Sequence, residues 1–270
     1  MLISIDSLSD PRIAPYRNLK DRDLAREGGR FLAEGHLLVQ RLLASGFETE
    51  SVLVSQARVG ERLPTVPENV PTYVAAPELM TQIVGFKFHQ GVMAVGLRGA
   101  SPTVDEVMEK AISRMRPLTW LIAPDIEKSD NLGAVIRIAA GFGAVGVLLG
   151  ERACDPFMRQ SVRVSMGAVF SLPIVRSEDL LRDLHLLREK HGVQLAATVL
   201  AAGADSLERA GRAERLGVLL GNEFHGLSPE VVAMCDRKVT LPMELETDSL
   251  NVAVAAGVFL YHFMRVARVE

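Results

Sequence analysis

Three segments of the sequence carry polar and charged residues at points where an apolar run gives way to a predicted helix. The segments are residues 124–137, 219–230 and 241–253. In an open α/β sheet, ligands bind outside the carboxyl ends of the strands, where a strand passes into a loop or helix. All three segments are therefore candidate parts of a ligand-binding site.

The first segment contains Asn131 and, six residues later, Arg137. Asp130 or Asn131 could cap a helix, and Arg137 could be an ordinary surface arginine, which is the simpler interpretation of this segment alone. However, Arg137 interrupts the apolar run 134–140. A charge in such a run usually has a partner or a function.

The second segment begins with Gly221, which would let a ligand approach the backbone closely. A turn with a solvated Glu223 is an equally good interpretation of this segment alone. In the third segment, Ser249 and Asn251 precede an apolar helix, and helix capping needs only one of them. The additional polar side chain therefore suggests a second role.

A fourth pattern, Gly141-x-Gly143-x-x-Gly146, has the letters of a dinucleotide-binding motif. That mechanism requires the glycines to follow a strand and to begin a helix. Here a predicted helix precedes the glycines and a strand follows them. We predict that they end a helix and start a strand.

The elements that would position these residues form an α/β pattern from residue 118 onward. Apolar strands, separated by helical segments, are predicted at 118–123, 144–149, 172–175, 193–200, 216–221 and 237–241. Such runs predict a parallel sheet with helices on both faces. The last helix, 250–266, is apolar nearly all round, which predicts burial on more than one side, within the domain or against a second copy.

The N-terminal part reads as a small α/β domain. Its strands are predicted at 31–35, 51–55, 70–75 and 91–97, and its helices at 36–45 and 77–84. The predicted organisation is a domain at 1–100, a linker with a short amphipathic helix at 101–117, and a second domain at 118–270.

Composition excludes several classes of protein. The chain has 270 residues, 48% hydrophobic and 23% charged, so it is globular rather than disordered. Its net charge of -3 argues against nonspecific binding of nucleic acid by the whole protein surface, but not against binding by a local basic region. Cys154 and Cys235 lack the spacing of a zinc site or redox pair, so we expect reduced thiols and no metal. With no signal peptide or apolar span, we expect a cytoplasmic protein without membrane contact.

Together and in this order, the three segments resemble the signature motifs of the SpoU (TrmH-like) RNA 2'-O-ribose methyltransferases of the SPOUT superfamily. The matching patterns are Asn131-x-Gly133-x3-Arg137, then Gly221-Asn222-Glu223-x2-Gly226-Leu227, then Leu241-Pro242-Met243 with Ser249-Leu250-Asn251-Val252-Ala253. The N-terminal part more loosely resembles the L30-like substrate-binding domain of many members. Two stretches depart from the family pattern, residues 127–130 and Phe224-His225.

This resemblance implies an α/β fold with a trefoil-knotted parallel sheet, and a homodimer formed through the knotted domain. It implies methyl transfer from S-adenosyl-L-methionine to a ribose 2'-hydroxyl of RNA, with ribosomal RNA favoured. The residues implied for catalysis are Asn131, Arg137, Glu223, Ser249 and Asn251. Those implied for cofactor binding are Thr198, Gly221, Leu241, Ser249 and Leu250. Because a guanidinium rarely deprotonates, we assign Arg137 to positioning phosphate and stabilising an alkoxide, and leave the general base unassigned.

Charge is distributed unevenly along the chain. Residues 11–45 contain seven basic and four acidic residues, whereas residues 221–251 contain six acidic and two basic residues. The acidic excess suits a sulfonium, although a solvated acidic loop would look the same. The residues predicted to bind RNA are Arg17, Lys20, Arg22, Arg26, Arg30, Arg159 and Arg163.

Two alternatives remain open from the sequence. A transfer RNA 2'-O-methyltransferase would use the same chemistry. A non-catalytic RNA-binding or ribosome-assembly factor could keep the fold, but the complete set of motif residues argues against it.

Overall fold

The structure is a computed structural model. It describes residues 2–17, 24, 29–60, 65–85, 88–113, 117–201, 203–244 and 249–269. The chain divides into two compact units, residues 1–100 with 157–170, and residues 101–156 with 171–270. The domain boundaries and the linker at 101–117 that the sequence suggests stay a proposal.

The strands are numbered in chain order. They are β1 Leu2–Ile5, β2 Arg30–Glu34, β3 Glu48–Ser55, β4 Thr72–Ala75, β5 Val92–Leu97, β6 Leu118–Ala123, β7 Gly146–Leu149, β8 Ile174–Arg176, β9 Gln194–Thr198, β10 Asp205–Ser206, β11 Arg215–Leu219 and β12 Arg237–Thr240.

The α-helices are numbered in the same way. They are α1 His36–Leu43, α2 Pro77–Val84, α3 Val104–Ile112, α4 Ser129–Phe142, α5 Arg159–Val164, α6 Leu180–His185, α7 Pro229–Ala233 and α8 Val252–Tyr261. A π-helical turn extends α6 over Leu186–Lys190, and another extends α8 over His262–Val266.

The first unit is built on a mixed sheet of order β1-β4-β3-β5-β2. The pairs β1–β4 and β4–β3 are parallel, whereas β5 runs antiparallel to both of its neighbours. Ile13, Leu53 and Met93 are fully buried in its core. The buried Tyr16 hydroxyl forms a 2.7 Å hydrogen bond with Ser51 Oγ, which satisfies both polar groups away from water.

The second unit contains a parallel sheet of order β10-β12-β9-β11-β6-β7-β8. The six strands predicted from residue 118 onward are all present in it, so the predicted parallel α/β fold is confirmed. Strand β10 is not among the predicted strands, because it has two residues and therefore no apolar run to detect. The trefoil knot implied by the resemblance stays a prediction.

Local sequence signals explain how α3 and α4 begin or end. Thr103 and Glu106 form a reciprocal capping box at the start of α3. Gly143 ends α4 in the left-handed conformation, at φ 85°, and β7 begins at Gly146. The glycine pattern therefore ends a helix and starts a strand, as predicted, and is not a dinucleotide site.

The last helix, α8, is buried on one side only in the single chain. Ala256, Phe259 and Leu260 are buried, whereas Val254 is 53% exposed and Tyr261 56% exposed. Burial on several sides within the domain is therefore not observed, and the second alternative, burial against another copy, stays a prediction. Among the described residues, no helix has the length and apolar character needed to cross a membrane.

Candidate functional site

A cavity of about 440 Å³ lies at the carboxyl ends of the neighbouring strands β12, β9 and β11. Its walls come from the residues directly after these strands and from the start of α8. The lining residues are 198–200, 220–227, Leu241, Met243, Ser249, Leu250, Val252, Ala255 and Phe259. The cavity therefore occupies the edge of the parallel sheet where ligands bind in open α/β folds.

The loop after β11 is folded tightly onto itself. The backbones of Asn222 and Gly226 exchange two hydrogen bonds of 3.0 Å. A Cβ atom on Gly221 would lie 2.8 Å from the Gly226 backbone, which only a glycine avoids. The Asn222 carboxamide oxygen accepts from the backbone N–H groups of Phe224 and His225, at 2.8 and 3.2 Å. These contacts hold the cavity wall in one shape.

Side chains from all three motifs meet in one hydrogen-bonded chain. Asn251 Nδ2 donates to Asn131 Oδ1 at 3.0 Å, and Asn131 Nδ2 donates to Glu223 Oε1 at 2.6 Å. The second carboxylate oxygen, Glu223 Oε2, is buried and has no partner among the described residues. Because burying an unsatisfied carboxylate oxygen is costly, this atom is available to a bound group.

Asn251 also performs the capping role. Its Oδ1 accepts from the backbone N–H groups of Ala253 and Val254, at 2.9 and 3.4 Å. Asn251 thus caps α8 with its oxygen and joins the Asn131 chain with its nitrogen. Ser249 is exposed and lines the cavity. The surplus polar side chain noted in the sequence therefore lies where a ligand could contact it.

All five residues suggested for cofactor binding line this one cavity: Thr198, Gly221, Leu241, Ser249 and Leu250. The hydroxyl of Thr198 donates to the Leu219 carbonyl at 2.8 Å, which ties the end of β9 to β11. Of the residues suggested for catalysis, Glu223 and Ser249 also line the cavity. Asn131 bonds Glu223 directly, and Asn251 is linked to Glu223 through Asn131.

Arg137 is not brought to this group within the single chain. It lies on α4 six residues after Asn131, which places it about 9 Å farther along the helix and roughly 120° around it. Its side chain is exposed. Among the described residues Arg137 has no ion pair. The partner expected for a charge within the apolar run 134–140 is therefore not observed, and the side chain is exposed to solvent.

The acidic excess of residues 221–251 is not concentrated in the cavity. Among the described acidic residues of this stretch, Glu223 lines the cavity. Asp236 instead accepts the backbone N–H of Leu195 at 2.7 Å. Glu246 and Asp248 lie outside the described residues. The idea that the whole stretch forms an acidic cofactor region is therefore wrong for Asp236, because its carboxylate is hydrogen-bonded to the backbone at the start of β9.

Several of the arginines suggested for RNA binding make contacts within the protein. Arg17 donates to the Asp10 carbonyl at 2.5 Å, Arg30 pairs with Glu50 at 2.6 Å, and Arg159 pairs with Glu34. Arg163 is exposed. Lys20, Arg22 and Arg26 lie outside the described residues.

Phe224, which has no role among the sequence predictions, lines the cavity and is 67% exposed. Lys128 Nζ lies 5.3 Å from the centre of its ring, within the range of a cation–π contact. Both residues belong to the stretches that depart from the family pattern. That departure was the signal that could have drawn attention to them.

Comparison with known proteins gives the class. A profile of the SpoU rRNA Methylase family matches residues 119–261. A Mycobacterium bovis protein described as an uncharacterized tRNA/rRNA methyltransferase is 34% identical, over 95% of this chain and 89% of its own. The 23S rRNA (guanosine(2553)-2'-O)-methyltransferase RlmP of Bacillus subtilis is 26% identical, over 96% of this chain and 98% of its own.

A solved structure agrees over nearly the whole chain. The crystal structure of an AdoMet-bound rRNA methyltransferase from Sinorhizobium meliloti superposes with a TM-score of 0.78 and 26% identity, covering 97% of each chain. The fold, the cavity and these relatives define a class, the α/β RNA methyltransferases. Within that class, the chain belongs to the SpoU rRNA methylase family.

Proposed function

We propose that this protein transfers a methyl group from S-adenosyl-L-methionine to a ribose 2'-hydroxyl of RNA, and that its substrate is ribosomal RNA. The observation that supports this most directly is the chain from Asn251 through Asn131 to Glu223, which ends in a buried carboxylate oxygen without a partner. The 2'-O-methyltransferase RlmP, similar over 96% of this chain, supports the choice of ribose and of ribosomal RNA.

The cavity fits the cofactor. Its volume of about 440 Å³ falls in the range typical of small-molecule sites. Leu220, Leu227 and Val252 provide apolar walls for an adenosine ring. Because Gly221 has no Cβ, its backbone can pack closely against that of Gly226 in the same loop. The negative charge of Glu223 suits a sulfonium.

Five residues would hold the cofactor: Thr198, Gly221, Leu241, Ser249 and Leu250. When bound, S-adenosyl-L-methionine supplies an activated methyl group. The protein must then orient the ribose hydroxyl and stabilise the charge that develops as this hydroxyl loses its proton.

Asn131 and Asn251 would act by fixing the Glu223 carboxylate. Asn131 donates a hydrogen bond to this carboxylate, and Asn251 donates one to Asn131. Arg137 would position an RNA phosphate and stabilise the developing alkoxide. A guanidinium does not serve as a base at neutral pH, so Arg137 is not assigned the proton transfer.

We also propose a homodimer formed through the second unit. Val254, Tyr261 and Val266, on α8 and its π-helical extension, are each more than half exposed. Exposed apolar side chains along one element are candidates for an interaction surface. Sedimentation velocity would show a species of twice the chain mass, and Val254→Glu would convert it to monomer. A monomeric wild type would contradict this part of the proposal.

The decisive experiment is transfer of a labelled methyl group to total RNA from a strain lacking the gene, followed by mapping of the modified ribose. Label is expected at a ribose of ribosomal RNA. Label found only in transfer RNA would favour that alternative substrate. Absence of S-adenosyl-L-methionine binding in calorimetric titration would contradict the enzymatic function altogether. Glu223→Gln should reduce transfer strongly, whereas Glu230→Gln, an exposed neighbour outside the cavity, is the matched control.

A further inference from the structure

The first unit contains a cavity of its own, of about 390 Å³. Its walls come from the end of β2, the start of α1, the residues just before β5, and α5. The lining residues are 34–38, 88–90, Arg159, Arg163 and Met166. Nothing in the proposed chemistry uses this cavity.

Nitrogen-bearing side chains dominate its polar lining. His36 and His89 present imidazoles, and Arg159 and Arg163 present guanidiniums. Glu34 is the one carboxylate among the described lining residues, and it is paired with Arg159. Two guanidiniums against one carboxylate leave the cavity with a net positive charge. An anion is therefore the ligand that the charge favours.

The ion pair makes Arg159 a fixed part of the wall. The side chain of Glu34 is 9% exposed, and Arg159 donates to both of its carboxylate oxygens, one of them at 3.1 Å. Arg163, one helical turn farther along α5, is exposed, and no carboxylate of the described chain pairs with it. Arg163 thus offers a complete guanidinium fork to an incoming group, in the geometry that binds phosphate oxygens in pairs.

The start of α1 adds to this charge. Gly35 precedes the helix without a capping side chain, and the first turn contains no acidic residue. The first peptide N–H groups therefore carry a partial positive charge with no carboxylate in their own turn, and the nearby Glu34 is already paired with Arg159. The imidazole of His36, the first residue of α1, extends the same positive region with an N–H donor.

The cavity wall is also held in an unusual conformation. Met166 has a positive φ of 51°, and Arg41 from α1 donates to its carbonyl oxygen. A residue other than glycine adopts this conformation at a cost, so its neighbours must stabilise it. The contact with Arg41 fixes the end of α5, and with it the position of Arg163 relative to α1.

We propose that this cavity binds one nucleotide of the substrate RNA, with its phosphate held by Arg163 and His36. The inference rests on the proposed function, since it assigns a second binding point to the same RNA. The volume exceeds that of a lone phosphate, and the ring of Phe88 lines the wall beside the polar groups. Proteins recognise single-stranded RNA through nucleotides splayed out of the stack, with aromatic and cationic groups on the protein side.

The test uses the full-length protein and a fluorescein-labelled decauridylate, with affinity measured by fluorescence anisotropy over a series of salt concentrations. Arg163→Gln and His36→Gln change exposed side chains, so both variants are expected to fold. Each should weaken binding by about fivefold or more, and Arg163→Gln should reduce the slope of log affinity against log salt by about one. The matched control is Arg209→Gln, an exposed arginine outside both cavities.

Competition experiments distinguish a site that binds a whole nucleotide from one that binds only a phosphate group. Uridine 5'-monophosphate should displace the labelled RNA from the wild type at lower concentration than inorganic phosphate does at equal ionic strength. That difference should disappear in Arg163→Gln. Equal competition by both compounds would overturn the nucleotide site.

Two further outcomes would overturn the inference. One is that Arg163→Gln and His36→Gln behave like Arg209→Gln, and the other is that wild type does not bind the labelled RNA. Failure of the proposed function is distinguishable, because it would appear as loss of S-adenosyl-L-methionine binding or of methyl transfer by the wild type. Both variants should bind S-adenosyl-L-methionine as the wild type does.

Discussion

Asn131 and Glu223 are 92 residues apart in the chain, and the side-chain amide of the first donates a 2.6 Å hydrogen bond to the carboxylate of the second. Asn131 also accepts a hydrogen bond from Asn251, 120 residues farther on. Asn131 is therefore the central link between the three motifs, because it uses both ends of its carboxamide. This arrangement orients the Glu223 carboxylate and leaves its other oxygen, Oε2, buried without a hydrogen-bond partner among the described residues.

Asn131→Asp should lower methyl transfer by about tenfold or more. The substitution replaces the N–H donor to Glu223 with a second carboxylate at hydrogen-bonding distance, where the two like charges repel each other. A labelled-methyl assay measures this loss, and Asp130→Asn, the neighbouring substitution on α4, is the control. Unchanged transfer in Asn131→Asp would contradict the role of Asn131 in orienting the Glu223 carboxylate.

Arg137→Ala should abolish methyl transfer while S-adenosyl-L-methionine binds within about twofold of its wild-type affinity. Arg137 is exposed and does not line the cofactor cavity, so its removal leaves that cavity intact. Loss of an electrostatic contact to the transition state typically costs about a hundredfold or more in rate. Calorimetry and a labelled-methyl assay measure the two quantities separately. Loss of both together would contradict the division of roles.

Gly221→Ala should weaken S-adenosyl-L-methionine binding by about tenfold or more, since overpacking costs about 1–3 kcal/mol. The added methyl group would lie 2.8 Å from the Gly226 backbone, which cannot rotate away as a side chain would. Gly141→Ala is the control, because a Cβ there meets nothing within 4 Å and lies in the helix α4. Unchanged affinity in Gly221→Ala would show that the loop adapts.

Arg212→Met should lower the free energy of unfolding by about 3 kcal/mol, measured in urea. Arg212 is 4% exposed and donates to the carbonyls of Leu118, Ala213 and Phe263, at 3.0, 3.1 and 2.9 Å. Burial lowers the pKa of this guanidinium, and the nearby charge of Glu214 opposes that effect only in part. Arg209→Met, at an exposed position, should change stability by less than about 0.5 kcal/mol. Equal effects would show that these hydrogen bonds contribute little.

Cys154 and Cys235 should react slowly with Ellman's reagent at neutral pH. Burial raises the pKa of Cys154 to about 11 and that of Cys235 to about 12, with a smaller effect from Asp155 and Asp236 respectively. The thiolate is the reactive form, so the rate should rise about tenfold per pH unit from pH 7 to pH 9.5. A free cysteine peptide levels off near pH 9. A plateau in the protein near that pH would contradict the raised pKa values.

Much of the second unit could be predicted from patterns that act locally. The strand 118–123 coincides with β6 because a run of five apolar residues, interrupted only by Thr119, is typical of a strand buried on both faces. The reversed order of helix, glycines and strand at Gly141, Gly143 and Gly146 correctly excluded a dinucleotide site. These signals depend on neighbouring residues, so they can be read without the partners that pack around them.

Other features could not be read in this way. β1 lies at an edge of its sheet, and its four residues pair with β4 some 70 positions later. In the charge total of residues 221–251, Asp236 and Glu223 count equally. In the structure, Asp236 accepts a hydrogen bond from the backbone of β9, whereas Glu223 lines the cavity. A count along the chain does not distinguish them, because the direction of each side chain depends on the strand or loop that precedes it.

The sequence by itself determined the class of fold, the family and the residue types that meet at the site, since these follow from hydrophobic periodicity and motif spacing. Only the tertiary structure decided how those residues are connected. Strand order in the parallel sheet brings the ends of β9, β11 and β12 together and lets Asn131 reach both Asn251 and Glu223. Helical geometry, in turn, directs Arg137 away from that group, because residues six apart on a helix lie on different faces.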